Sequence, residues 1–79
     1  MPRMQEREAK ILFESNDLKN VVVQPSNGKP GWHISFVDKN DTTRFLVSKR
    51  STDPRLFKTS DAALRCCARI GFHQVEVIV

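Results

Sequence analysis

The stretch WHISFVDKNDTTRFLVS, residues 32–48, decides how this chain folds. Trp32, Ile34 and Phe36 alternate with His33, Ser35 and Val37, so one face of the segment is strongly apolar, as in a β-strand. Asp38-Lys39-Asn40-Asp41 reads as a short hairpin turn. Thr42 to Ser48 then returns as a second strand, with Thr43, Phe45 and Val47 on one face and Arg44, Leu46 and Ser48 on the other. Two strands joined by so short a connection must run antiparallel.

Upstream, Pro25 to Gly31 is a turn by composition, and Val21-Val22-Val23 places a strand over Leu18–Gln24. Ser15-Asn16-Asp17 stops a helix expected over Arg3–Glu14, in which Met4, Ile11 and Leu12 follow helical spacing and Glu6 stands four residues before Lys10. Downstream, a polar loop over residues 49–58 leads to a second helix. Thr59 or Ser60 caps its start, Ala63, Cys67 and Ile70 with Leu64 form its apolar stripe, and Gly71 ends it. Gln74 to Val79 alternates as a last strand. The expected fold is α+β in the order α-β-β-β-α-β: a four-stranded, mainly antiparallel sheet with both helices on one face. Trp32, Ile34 and Phe36 should meet the second helix through Ala63, Cys67 and Ile70. Seventy-nine residues make one domain, residues 1–79, with little volume for a deep cavity beside its core.

The chemistry-bearing residues do not form a catalytic set. Cys66 and Cys67 are neighbours on a helix, about 100° apart, and cannot readily bond to each other. His73 follows across Gly71 and His33 is remote, so neither a metal site nor a thiol nucleophile with its base is expected. Both thiols read as small buried hydrophobes in a reducing compartment. No glycine-rich phosphate cradle precedes the second helix. No apolar run is long enough to cross a membrane, and the start of the sequence has no secretion signal, so the expected setting is cytoplasmic. No enzyme activity, cofactor or metal is expected.

Charge is more informative. The formal net charge is +4, and residues 1–41 carry six Lys/Arg against six Asp/Glu. The whole excess therefore lies in residues 42–79, where Arg44, Lys49, Arg50, Arg55, Lys58, Arg65 and Arg69 face Asp53, Asp61 and Glu76. Such asymmetry points to an anionic partner. Arg44, Lys49, Arg50, Arg55 and Lys58 are the candidate phosphate contacts, leaving the third strand and leading into the second helix.

Two resemblances bear on that partner. REAKILFES near the start, GWHISF in the centre and FKTSDAALRCCARIGFHQVEV at the end resemble the small partition-associated proteins of bacterial plasmids, the ParC type. The match is carried by Phe57-Lys58-Thr59, Asp61-Ala62-Ala63-Leu64 and Ile70-Gly71-Phe72. It implies a non-enzymatic accessory role in plasmid maintenance and partition, with plasmid DNA or a DNA-bound partition protein as partner. The α-β-β-β-α order also looks like double-stranded RNA-binding domains, although those carry a lysine cluster where this chain has Lys58 before Thr59-Ser60-Asp61. A protein–protein adaptor is the alternative to direct DNA binding. A homodimer is expected, because VEVIV leaves an apolar strand at a sheet edge.

Overall fold

The computed structural model describes residues 3–26, 28, 30–47 and 54–78. Its elements are β1 (Arg3–Met4), α1 (Glu6–Glu14), β2 (Leu18–Pro25), β3 (Trp32–Asp38), β4 (Thr43–Leu46), α2 (Ser60–Ile70) and β5 (Glu76–Val77). One sheet joins all the strands in the order β1-β4-β3-β2-β5. Its centre is the antiparallel meander β2-β3-β4, with Val21 opposite Phe36, Val23 opposite Ile34 and Phe36 opposite Arg44. The expected α+β class and α-β-β-β-α-β order stand.

The sheet differs from expectation at both margins. Residues 3–4 were expected to open the first helix but form a fifth strand, paired parallel to β4 with Met4 against Leu46. Val47 N–H donates to the Met4 carbonyl at 2.9 Å, and both Met4 and Leu46 are buried. A helix over these residues would forgo that ladder. α1 begins instead after Gln5, whose backbone N–H donates to the Glu8 carboxylate at 3.4 Å. Its inner stripe is Ala9, Leu12 and Phe13, not Met4, Ile11 and Leu12; Ile11 is exposed. At the other margin β5 joins β2 in parallel, with Val22 beside Glu76 and Val23 beside Val77.

Local chemistry explains the boundaries. α1 stops where Asn16 takes φ 60°, the left-handed region that asparagine tolerates, and Asp17 N–H returns to the Leu12 carbonyl at 2.8 Å. In the β3–β4 turn the Asp38 carboxylate accepts from Asn40 N–H and Thr42 N–H, each at 2.9 Å. Thr59 Oγ1 caps α2 by accepting from Ala62 N–H at 3.1 Å. Gly71, at φ 129°, ends it.

Both helices cover one face of the sheet. Ala9 from α1 and Ala63, Cys66, Cys67 and Ile70 from α2 close over Val21, Val23, Ile34, Phe36 and Leu46. Phe72, just past α2, stacks on Phe36 and meets Phe13, with ring centroids 6.0 and 4.6 Å apart. Trp32 is only half-buried, so the heart of β3 is Ile34 and Phe36. Residues 54–57 lie back against the sheet. Arg55 N–H donates to the Leu46 carbonyl, and Phe57 and Trp32 exchange two backbone hydrogen bonds, all at 2.8 Å. Gly31 permits that approach, because a Cβ there would lie 3.0 Å from the Phe57 carbonyl oxygen.

Candidate nucleic-acid interface

The cations that the charge pattern singles out fall into three situations. Arg44 lies on β4 at the hairpin end, where its Nε donates to Asp38 at 3.2 Å. Asp38 also holds the turn, and the hydrogen bond from Thr42, with those from Asn40 and Arg44, keeps its carboxyl below the ordinary carboxylate range. Arg44 is therefore engaged in shaping the hairpin. Lys49 and Arg50 lie outside the described residues. Arg55 and Lys58 stand on the approach to α2.

Arg55 is drawn inward by two contacts. Its guanidinium carbon lies 4.8 Å from the Phe57 ring centroid, and Nη1 is 3.7 Å from Glu6 Oε1. Glu6 is the hub of this region. Arg69 donates to both of its carboxylate oxygens at 3.3 Å, and the Cys66 thiol donates to Oε1, also at 3.3 Å. The Arg69 hydrogen bonds, helped by Cys66 and Arg55, keep the Glu6 carboxyl below its ordinary range against the opposing effect of burial. Glu6 was expected to serve Lys10 one helical turn away. It serves Arg69 and Arg55 instead, because packing brings residues about 50 to 60 positions distant to the start of α1.

Lys58, exposed, directly precedes the Thr59 cap, and Arg65 is exposed on α2. Neither has an ion-pair partner among the described residues. At the hairpin end, by contrast, Lys19 pairs with Asp41, Lys39 with Asp17 and Arg44 with Asp38, at 2.7, 3.0 and 3.2 Å. The ion pairs thus neutralise the hairpin end. Around α2, Arg55 and Arg69 share one carboxylate while Lys58 and Arg65 are solvated.

Among the described residues, neither cysteine stands beside a histidine base. Burial pushes the thiols of Cys66 and Cys67 up to about 12 and about 11, which disfavours the thiolate. His33 is half-buried on the sheet face away from the helices, edge-on to Phe45, and burial lowers its pKa. Among the described residues, no three of His, Cys, Asp and Glu converge as metal ligands, and no helix is long and apolar enough to cross a membrane. A groove of about 560 Å³ runs between β2 and the segment before β5, lined by Phe13, Leu18, Val21, Phe72 and His73 among others, and none of the described cations Arg44, Arg55 and Lys58 lines it.

The Glu6 hub and the role of Arg69 were not foreseen from the sequence; the acidic start of α1 was the one available signal. Comparison with protein-family models, characterised proteins and solved structures gives no match to this chain.

Proposed function

We propose that this chain is a non-enzymatic accessory protein of plasmid maintenance that binds DNA through the basic region around the start of α2. The observation that carries the reading is the sorting of charge: cations at the hairpin end are neutralised, whereas the excess gathers at Arg55, Lys58, Arg65 and Arg69, with Lys49 and Arg50 just upstream in sequence. Phosphate contacts of this kind position a protein on a duplex without reading bases. The plasmid setting rests on the sequence resemblance, and two free, buried thiols suit a cytoplasmic location.

The test is a mobility shift with plasmid and random duplexes at about 50 and about 200 mM salt, over which four or five phosphate contacts cost affinity on the order of 10²-fold or more. Reversing Lys49, Arg50 and Lys58 to glutamate removes the shift with the far-ultraviolet spectrum unchanged. Arg55 is left intact in this variant, since a carboxylate there would oppose Glu6. If the native protein gives no shift at either salt concentration, DNA binding is refuted, and binding to a partition protein, the adaptor reading, is then assayed by pull-down.

A duplex-RNA module is the second reading, favoured by the α-β-β-β-α core with both helices on one sheet face. An RNA duplex of the same length in the same assay separates the two: tighter binding to RNA than to DNA selects it.

A further inference from the structure

The two edges of the sheet are not alike. β1 ends one edge, and Met4 there is buried at 1 % exposure. β5 ends the other, and Val77 and Ile78 are two of the four exposed large apolar side chains among the described residues, at 40 % and 43 %. The register sets Val77 beside Val23, on the helix-covered face, and alternation puts Ile78 on the opposite face. A ligand laid on one face would cover one of them. A strand added along the edge covers both.

The backbone agrees. Ile78 N–H donates to the Val23 carbonyl at 2.9 Å, so that group turns toward β2. Because backbone groups alternate along a strand, the N–H and C=O of Val77 turn outward. We propose that β5 is a self-pairing edge: two copies of this chain join antiparallel along β5, with Val77 of one copy directly opposite Val77 of the other. In that register each Val77 exchanges both backbone hydrogen bonds with its counterpart, as in a hydrogen-bonded antiparallel pair. Glu76 falls opposite Ile78 of the second copy, so no two carboxylates are directly opposed. The helices of both copies stay on the same face, and the two-fold relation closes the assembly at two.

The paired stretch is short, so the dimer forms reversibly at micromolar concentration. Sedimentation velocity without nucleic acid, from about 1 to about 100 µM as suits an interface below standard size, should show the mass rising from one chain to two. Ile78→Glu shifts the midpoint at least about tenfold upward, since it sets a carboxylate directly opposite Glu76 of the other copy, twice over in the dimer. The register is tested by cross-linking. Val77→Cys forms an intermolecular disulfide, because directly opposed Cα atoms about 5.5 Å apart lie within disulfide range. Ile78→Cys alone does not, because its counterpart lies on the diagonal, but it cross-links when mixed with Glu76→Cys. Cys66 and Cys67 are buried and do not compete. A single-chain mass at the highest concentration, masses growing beyond two chains, or equal cross-linking of Val77→Cys and Ile78→Cys overturns the proposal.

Discussion

Gly71 does two jobs that no other residue can share. Its φ of 129° lies where side chains are disfavoured, and a Cβ there would meet Phe13 Cε2 at 2.6 Å. Gly71→Ala should destabilise the domain by about 1–3 kcal/mol from backbone strain, with more from the displaced Phe13–Phe72 contact. A urea melt checks this; an unchanged midpoint would contradict it. The cysteines make the opposite case. Both are fully buried, and burial, aided at Cys66 by the neighbouring Glu6 carboxylate, holds them as thiols. A thiol reagent at pH 8 should therefore modify them only as fast as the domain opens, and both at once in urea. Replacing both with alanine should cost about 1–2 kcal/mol of packing and leave the proposed nucleic-acid binding unchanged. Rapid labelling of the native protein would refute the first expectation, and a folded double variant without binding the second.

At the scale of the element, β3 is held by its middle. Phe36 is fully buried and stacks on Phe72, whereas Trp32 is half-buried against the segment containing Phe57. Phe36→Ala should cost about 3–5 kcal/mol, comparable with the whole stability of a domain this size, and abolish the cooperative melt. Trp32→Ala should leave a cooperative melt at a lower midpoint. Unfolding by the Trp32 change alone would reverse this ranking. The β3–β4 turn depends similarly on one side chain. Asp38 accepts two backbone N–H groups and Arg44, so Asp38→Ala should lower the melting temperature more than Lys19→Ala, which loses one exposed pair.

For the whole molecule, Glu6, Asp38 and His33 point one way in pH, whereas the raised thiols of Cys66 and Cys67 withdraw stability only as pH rises above their ordinary 9.0. Glu6 and Asp38 titrate below their ordinary values of 4.5 and 3.8. Their ionised forms are favoured by folding, so the stability they add is present above those values and is lost as pH falls through the lower folded ones. His33 titrates below its ordinary 6.5 because burial favours the neutral ring, so its contribution begins to fade as pH drops below that value. Thermal melts should therefore show stability falling gently below pH 6.5 and steeply below about 4. Glu6→Gln should be less stable than the native chain at pH 7, and the gap should close in acid. A gap that persists undiminished at pH 2 would show that Glu6 acts by packing rather than by charge.

Much of the architecture was legible in order and in place. The alternation of 32–37, the turn at 38–41, the Thr59 cap and the Gly71 stop are local in their chemistry, and each appears where its residues predict. Both cysteines are buried as expected, although the stripe expected as Ala63, Cys67 and Ile70 with Leu64 is Ala63, Cys66, Cys67 and Ile70. Long-range packing decided the rest. Residues 3–4 leave the helix because Met4 gains a buried place beside Leu46, a partner 42 positions away. Arg55 and Arg69 turn to Glu6, and Arg44 to Asp38, because the folded sheet and helices set those charges within hydrogen-bonding or ion-pairing distance. Sequence counts the charges of this protein; only tertiary structure determines which of them are already neutralised, because pairing depends on distance in space rather than along the chain.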